Sequence, residues 1–103
     1  MDNLDKSYEE NRGDKQQKIR FDLLVPEFIE EMARRMTEGA KKYKSESWKD
    51  EGEFSTTCFT SAIGRHYFQF MKGCTEKDTL NEHLVAIAIN AMFVFYRKNM
   101  EMF

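Results

Sequence analysis

Between Arg20 and Trp48 the chain reads RFDLLVPEFIEEMARRMTEGAKKYKSESW, and three kinds of residue in this stretch could do chemistry together. Glu27, Glu30 and Glu31 come first. On a helix Glu27 lies one turn from both Glu30 and Glu31, so either pair could face one divalent ion through hard carboxylate oxygens. Lys41, Lys42 and Lys44 come later, as compact charges suited to phosphate oxygens. Tyr43 and Trp48, the single tryptophan, offer flat surfaces on which a base can stack, worth roughly 1–3 kcal/mol. Acid early, base late and an aromatic beyond suit a metal-bound ligand that carries phosphates and a base.

Four more candidates lie further along. Arg65 has the planar fork that holds phosphate bidentately, and His66 follows it directly. His83 and Asn90 stand two helical turns apart and share a face. Asn90 is the lone polar residue in an apolar run, and a buried amide must find partners, either in a site or in setting the register of a helix interface. Each group also has an ordinary explanation. Exposed lysines are commonly solvated, a histidine is often a satisfied core group, and a lone tryptophan often only packs. The acid-to-base order along the first helix complements the helix dipole with no ligand at all.

These residues must be held by helices. Pro26 fits a first helical turn, where its missing N–H costs nothing, and Phe28, Ile29, Met32, Ala33, Met36 and Ala40 recur at helical steps. A loop follows over residues 45–53. Ser55 or Thr56 can cap a second helix that runs to about Lys72 and stops at Gly73. Gly64, in the middle of that helix, costs about 1 kcal/mol relative to Ala, which predicts a close helix crossing or a ligand approach there. Thr79-Leu80-Asn81-Glu82 is a capping box that opens a third helix reaching about Asn99. From Leu84 to Tyr96 that helix is apolar on nearly every side, and two companion helices cannot cover it. The expectation is an all-α bundle of three main helices completed by self-association, most simply a symmetric dimer through the third helix. Residues 1–18 are polar without apolar period and are expected to form a flexible arm; residues 19–99 form one domain and 100–103 a tail.

Composition limits the classes. At 103 residues the chain makes one modest domain, and a formal net charge of -2 excludes a general nucleic-acid binder. The two cysteines, Cys58 and Cys74, lack metal-ligand spacing, and no signal peptide or membrane-spanning run is evident. A cytoplasmic protein with two reduced thiols and no membrane contact is expected.

The stretch from Arg20 to Trp48 resembles the opening of the phage-encoded dATP/dGTP diphosphohydrolase family, through Arg-Phe-Asp-Leu, Pro-Glu, Gly-Ala-Lys-Lys-Tyr and the tryptophan. The resemblance continues through Ala62, Arg65-His66, Gly73, His83 and Asn90, covering about Lys18 to Lys98. That family is similar to the MazG-like all-α nucleotide pyrophosphatases. What it implies is Mg²⁺-dependent release of pyrophosphate from a purine deoxynucleoside triphosphate. Glu27, Glu30 and Glu31 would then be metal ligands, Glu27, Glu31, His83 and Asn90 the catalytic set, and Lys41, Lys42, Tyr43, Lys44, Trp48, Arg65 and His66 the nucleotide contacts. This chain departs from the pattern on its last helix. The MazG-like Glu and Asp three apart are replaced by Glu82 and Val85, and Ala86 stands where many members have a second histidine. Glu76, Asp78 and Glu82 lie at the turn, where capping accounts for them.

Three functions follow. The first is a Mg²⁺-dependent (d)NTP pyrophosphohydrolase. The second is a non-catalytic sponge on the same scaffold that sequesters a nucleotide signal, motivated by the thin carboxylate set. The third is a ligand-free helical oligomer.

Overall fold

The computed structural model describes residues 18–101, and the described chain is all helical. Three helices carry it: α1 (Pro26–Lys42), α2 (Thr56–Lys72) and α3 (Leu80–Glu101). Single 3₁₀ turns at Phe21–Leu23 and Ser47–Lys49 precede and follow α1. The expected N-terminal arm lies outside the described residues, Lys18 apart. None of the described helices is long and apolar enough to cross a membrane.

Local chemistry sets the ends. Pro26 is the first residue of α1. Gly73 ends α2 with φ +70°, a left-handed conformation that L side chains adopt only with strain. At the start of α3 the Glu82 side chain accepts from the Thr79 N–H at 2.9 Å, and the Thr79 hydroxyl accepts from the Glu82 N–H at 3.1 Å, so each satisfies the other. Ser55 takes the N-cap place of α2, but its hydroxyl faces Thr57 and Cys58 rather than a backbone N–H.

α2 and α3 form an antiparallel hairpin, with Phe59 beside Phe93 and His66 beside His83. Phe59, Val85, Ala86 and Ile89 are buried between them, together with His66, His83 and Arg97. Among the described residues α1 packs on α3 and not on α2. From Arg35 to Trp48 the chain runs alongside α3 in the same sense, joined to Asp78 at one end and to Phe93 at the other. None of the α1 residues is buried, and Phe28 and Ile29 remain 38% and 47% exposed.

Gly64 lies at no helix crossing among the described residues: a Cβ built there meets nothing within 4 Å, and the residue is exposed. α2 covers one side of α3, where Val85, Ala86 and Ile89 are buried. Leu84 and Phe95, at 38% and 70% exposure, nevertheless leave an apolar stripe open. Cys58 and Cys74 are free thiols.

Candidate functional site

The space between α1 and α3 is a cleft of about 980 Å³, closed at one end by the loop that carries Trp48. One wall is the stripe of α1 on which Glu31, Arg35, Gly39 and Lys42 recur at helical spacing. The opposite wall is α3 and its N-terminal turn, presenting Asp78, Glu82, Ile89, Asn90 and Phe93. Tyr43, Lys44 and Trp48 close the far end. A volume of this size suits a nucleotide-sized ligand.

The loop is held by a residue the sequence did not single out. Arg97, 4% exposed, reaches from the last turns of α3 into the loop and donates to the carbonyls of Trp48 at 2.8 and 3.1 Å and of Asp50 at 3.1 Å, and also to Phe54. Its remaining nitrogen bonds Glu51 at 2.8 Å, and the guanidinium lies 5.0 Å from the Phe59 ring centre. A planar fork with five donors can satisfy several turn carbonyls at once, which a lysine cannot. So anchored, Trp48 stacks on Phe93 at 4.6 Å and meets Tyr96 edge-on at 5.1 Å. One of its faces is therefore committed to packing. Tyr43 meets only the edge of Phe54, at 5.7 Å, and is 56% exposed, so it is the freer platform for a base.

The candidates separate into those the cleft gathers and those it leaves out. Glu31, Lys42, Tyr43, Lys44, Trp48 and Asn90 line it. Glu27, Glu30, Lys41 and Arg65 do not, and Lys41 pairs along its own helix with Glu38 at 3.1 Å. Arg34 bonds Glu30 at 3.0 Å and Glu31 at 3.4 Å. Asn90 donates from Nδ2 to the Ala86 carbonyl at 2.8 Å, and its side-chain oxygen has no bond among the described residues. His66 and His83 are buried behind the α3 wall, outside the cleft lining. His83 Nε2 donates to the Cys74 carbonyl at 2.8 Å, and its Nδ1 lies 3.0 Å from His66 Nδ1; with both rings neutral, His66 is the donor of that second bond. Burial, and next the Arg35 charge, hold the His66 pKa below its usual value, consistent with a neutral ring.

Two further charged groups belong to the site. Arg35 spans the cleft to Asp78 at 3.2 Å, and Glu82 adds a carboxylate to the wall opposite Glu31. Acidic groups thus stand on both walls. The sequence carried a signal for Arg35, which falls on the same helical stripe as Glu31 and Lys42. For Asp78 and Glu82 the capping role masked the second one.

A family model described as dATP/dGTP diphosphohydrolase, N-terminal, matches residues 8–102. No curated protein and no solved structure matches the chain.

Proposed function

The chain belongs to the dATP/dGTP diphosphohydrolase N-terminal family, and from that membership we propose that the cleft between α1 and α3 is a Mg²⁺-dependent nucleotide pyrophosphohydrolase site for purine deoxynucleoside triphosphates. The observation that carries it is the pairing within one cleft of carboxylates on both walls with a basic and aromatic end. Lys42 and Lys44 attract the triphosphate, and Tyr43 stacks on the base with Trp48 behind it. Arg34 and Arg35 add positive charge along the same wall. The donor set fits Mg²⁺, which takes hard oxygen ligands: Glu31 and Glu82 would hold it, with the Asn90 oxygen as a neutral neighbour and Glu27 and Glu30 as nearby charge on α1. When bound, the ion neutralises phosphate charge and makes water a better nucleophile. Water adds across the bond between the α- and β-phosphates, giving the monophosphate and pyrophosphate. His83 and His66, buried behind the wall, position the α3 turn from which Asp78 and Glu82 project. Self-association through the open face of α3 and a cytoplasmic setting, the host cytoplasm for a phage-encoded chain, belong to the same reading.

One observation favours a second reading. Glu31 is already bonded to Arg34, and among the described residues Glu27, Glu30 and Glu31 do not converge on one point. A cleft whose α1 carboxylates are internally neutralised favours metal-independent anion binding, the behaviour of a sponge. Chromatography of each dNTP after incubation with the protein, with and without Mg²⁺, separates the two. Pyrophosphate and a purine monophosphate formed only with Mg²⁺ support the enzyme; intact ligand held without metal supports the sponge.

A further inference from the structure

Behind the α3 wall the turn between α2 and α3 gathers three groups that the nucleotide reading does not use as ligands. His66 comes from α2, His83 from the first turn of α3 and Asp78 from the connection between them. One donor atom from each lies within 4.8 Å of the other two, and no other trio of His, Cys, Asp or Glu does so among the described residues. We propose that His66, His83 and Asp78 form a binding site for a transition-metal ion of the Zn²⁺ class, separate from any Mg²⁺ held at the cleft glutamates.

Geometry and donor chemistry both point there. Two nitrogens bound to one zinc at about 2.0–2.1 Å stand roughly 2.9–3.4 Å apart, and the two Nδ1 atoms here are 3.0 Å apart. Imidazole nitrogen suits zinc and its neighbours, whereas Mg²⁺ prefers oxygen throughout. The supporting contacts are those of a built metal site. A ligating histidine usually donates its other N–H to a carbonyl or carboxylate, and His83 Nε2 already does so to Cys74. A ligating carboxylate is usually hydrogen-bonded in turn, and Arg35 holds Asp78 at 3.2 Å. Both rings are nearly inaccessible, at 7% and 2%, so their rotamers are locked by packing. The ion takes the place of the hydrogen now shared between the two Nδ1 atoms. That hydrogen passes to His66 Nε2 as the ring changes tautomer, so no proton leaves the protein. Three protein ligands would leave a fourth position for water or another donor, and Asp78, which also lines the cleft, ties the site to that wall.

The test uses the full chain without a histidine tag, titrated with Co²⁺ and then Zn²⁺. One equivalent of Co²⁺ should give the intensified visible absorption of a low-coordinate nitrogen site, and Zn²⁺ should abolish it. Asp78→Asn and His66→Gln should each weaken binding at least tenfold, while Cys58→Ser, which removes the exposed thiol, should leave it unchanged. A Co²⁺ spectrum identical to that of the aqueous ion overturns the proposal. So does equal binding by all the ligand variants, or binding lost in Cys58→Ser. Should the variants fail to fold, histidine ¹⁵N spectra of the wild-type chain decide the matter. Both Nδ1 resonances should move together and stop at one equivalent of Zn²⁺, and unmoved resonances refute the site.

Discussion

Arg97→Ala is the sharpest test of how the cleft is built. The guanidinium donates to three loop carbonyls and to Glu51, and the side chain is almost wholly buried. Hydrogen bonds to a charged group contribute about 1.5–3 kcal/mol each, but they do not add, because the exposed parts of the loop regain water. Removing one partner of a buried charged network costs about 3–5 kcal/mol, and that is the expected loss. Against a total stability of about 5–15 kcal/mol it is a large fraction. Urea unfolding followed by the fluorescence of Trp48, the single tryptophan, measures both the loss and the local change. Trp48 emission should shift to the red under native conditions as its stacking on Phe93 loosens. Arg97→Lys should fall between, since it keeps charge without the fork. Glu51→Gln should cost under about 1 kcal/mol, because that carboxylate is 63% exposed. An Arg97→Ala protein within about 1 kcal/mol of wild type, with unchanged emission, would show that Arg97 does not hold the loop.

Other expectations follow from the cleft walls. Tyr43→Ala should weaken nucleotide binding by about 1–3 kcal/mol in calorimetry, with Tyr43→Phe close to wild type. Lys42→Ala and Lys44→Ala should lower affinity and flatten its salt dependence, whereas Lys41→Ala, off the cleft and paired with Glu38, should do neither. Gly39→Ala should raise the melting temperature, since Ala is favoured in a helix by about 1 kcal/mol and a Cβ there meets nothing within 4 Å. The same change should weaken nucleotide binding, because it fills the bare stretch of the α1 wall. Phe95→Asp, on the open face of α3, should shift sedimentation toward the monomer while the helical circular dichroism is kept.

Much of this fold is written in short-range signals. Pro26, Gly73 and the Thr79–Glu82 box mark helix ends through backbone chemistry that needs no tertiary context, and each does what its local sequence dictates. The family, too, was legible in the ordered residues from Arg20 to Asn90. Long-range pairing was not. Arg97 looks like one more cation in a last helical turn until a loop 43 to 49 residues earlier folds back onto it. His66 and His83 are seventeen positions apart, and only the turn at Gly73 brings their rings together. Gly64 is a weaker signal: a helix-weakening residue predicts a close helix crossing or a ligand approach, and among the described residues no crossing lies there. Within the candidate site, Glu31, Lys42, Tyr43, Lys44, Trp48 and Asn90 could be named from sequence by residue type and by the order they share with the family. Arg35, Asp78 and Glu82 were hidden behind the commoner duties of solvated charge and cap.

In the proposed function the α1–α3 cleft hydrolyses purine deoxynucleoside triphosphates with Glu31 as a metal-holding group. ³¹P NMR of dATP and dGTP, incubated with Mg²⁺ and either the wild-type chain or Glu31→Gln, follows that reaction at each phosphate. The expected result is a growing pyrophosphate signal and a matching monophosphate signal with wild type, and neither with Glu31→Gln at equal helix content. Triphosphate signals that broaden on binding yet stay intact, alike for both proteins and with or without Mg²⁺, would contradict it.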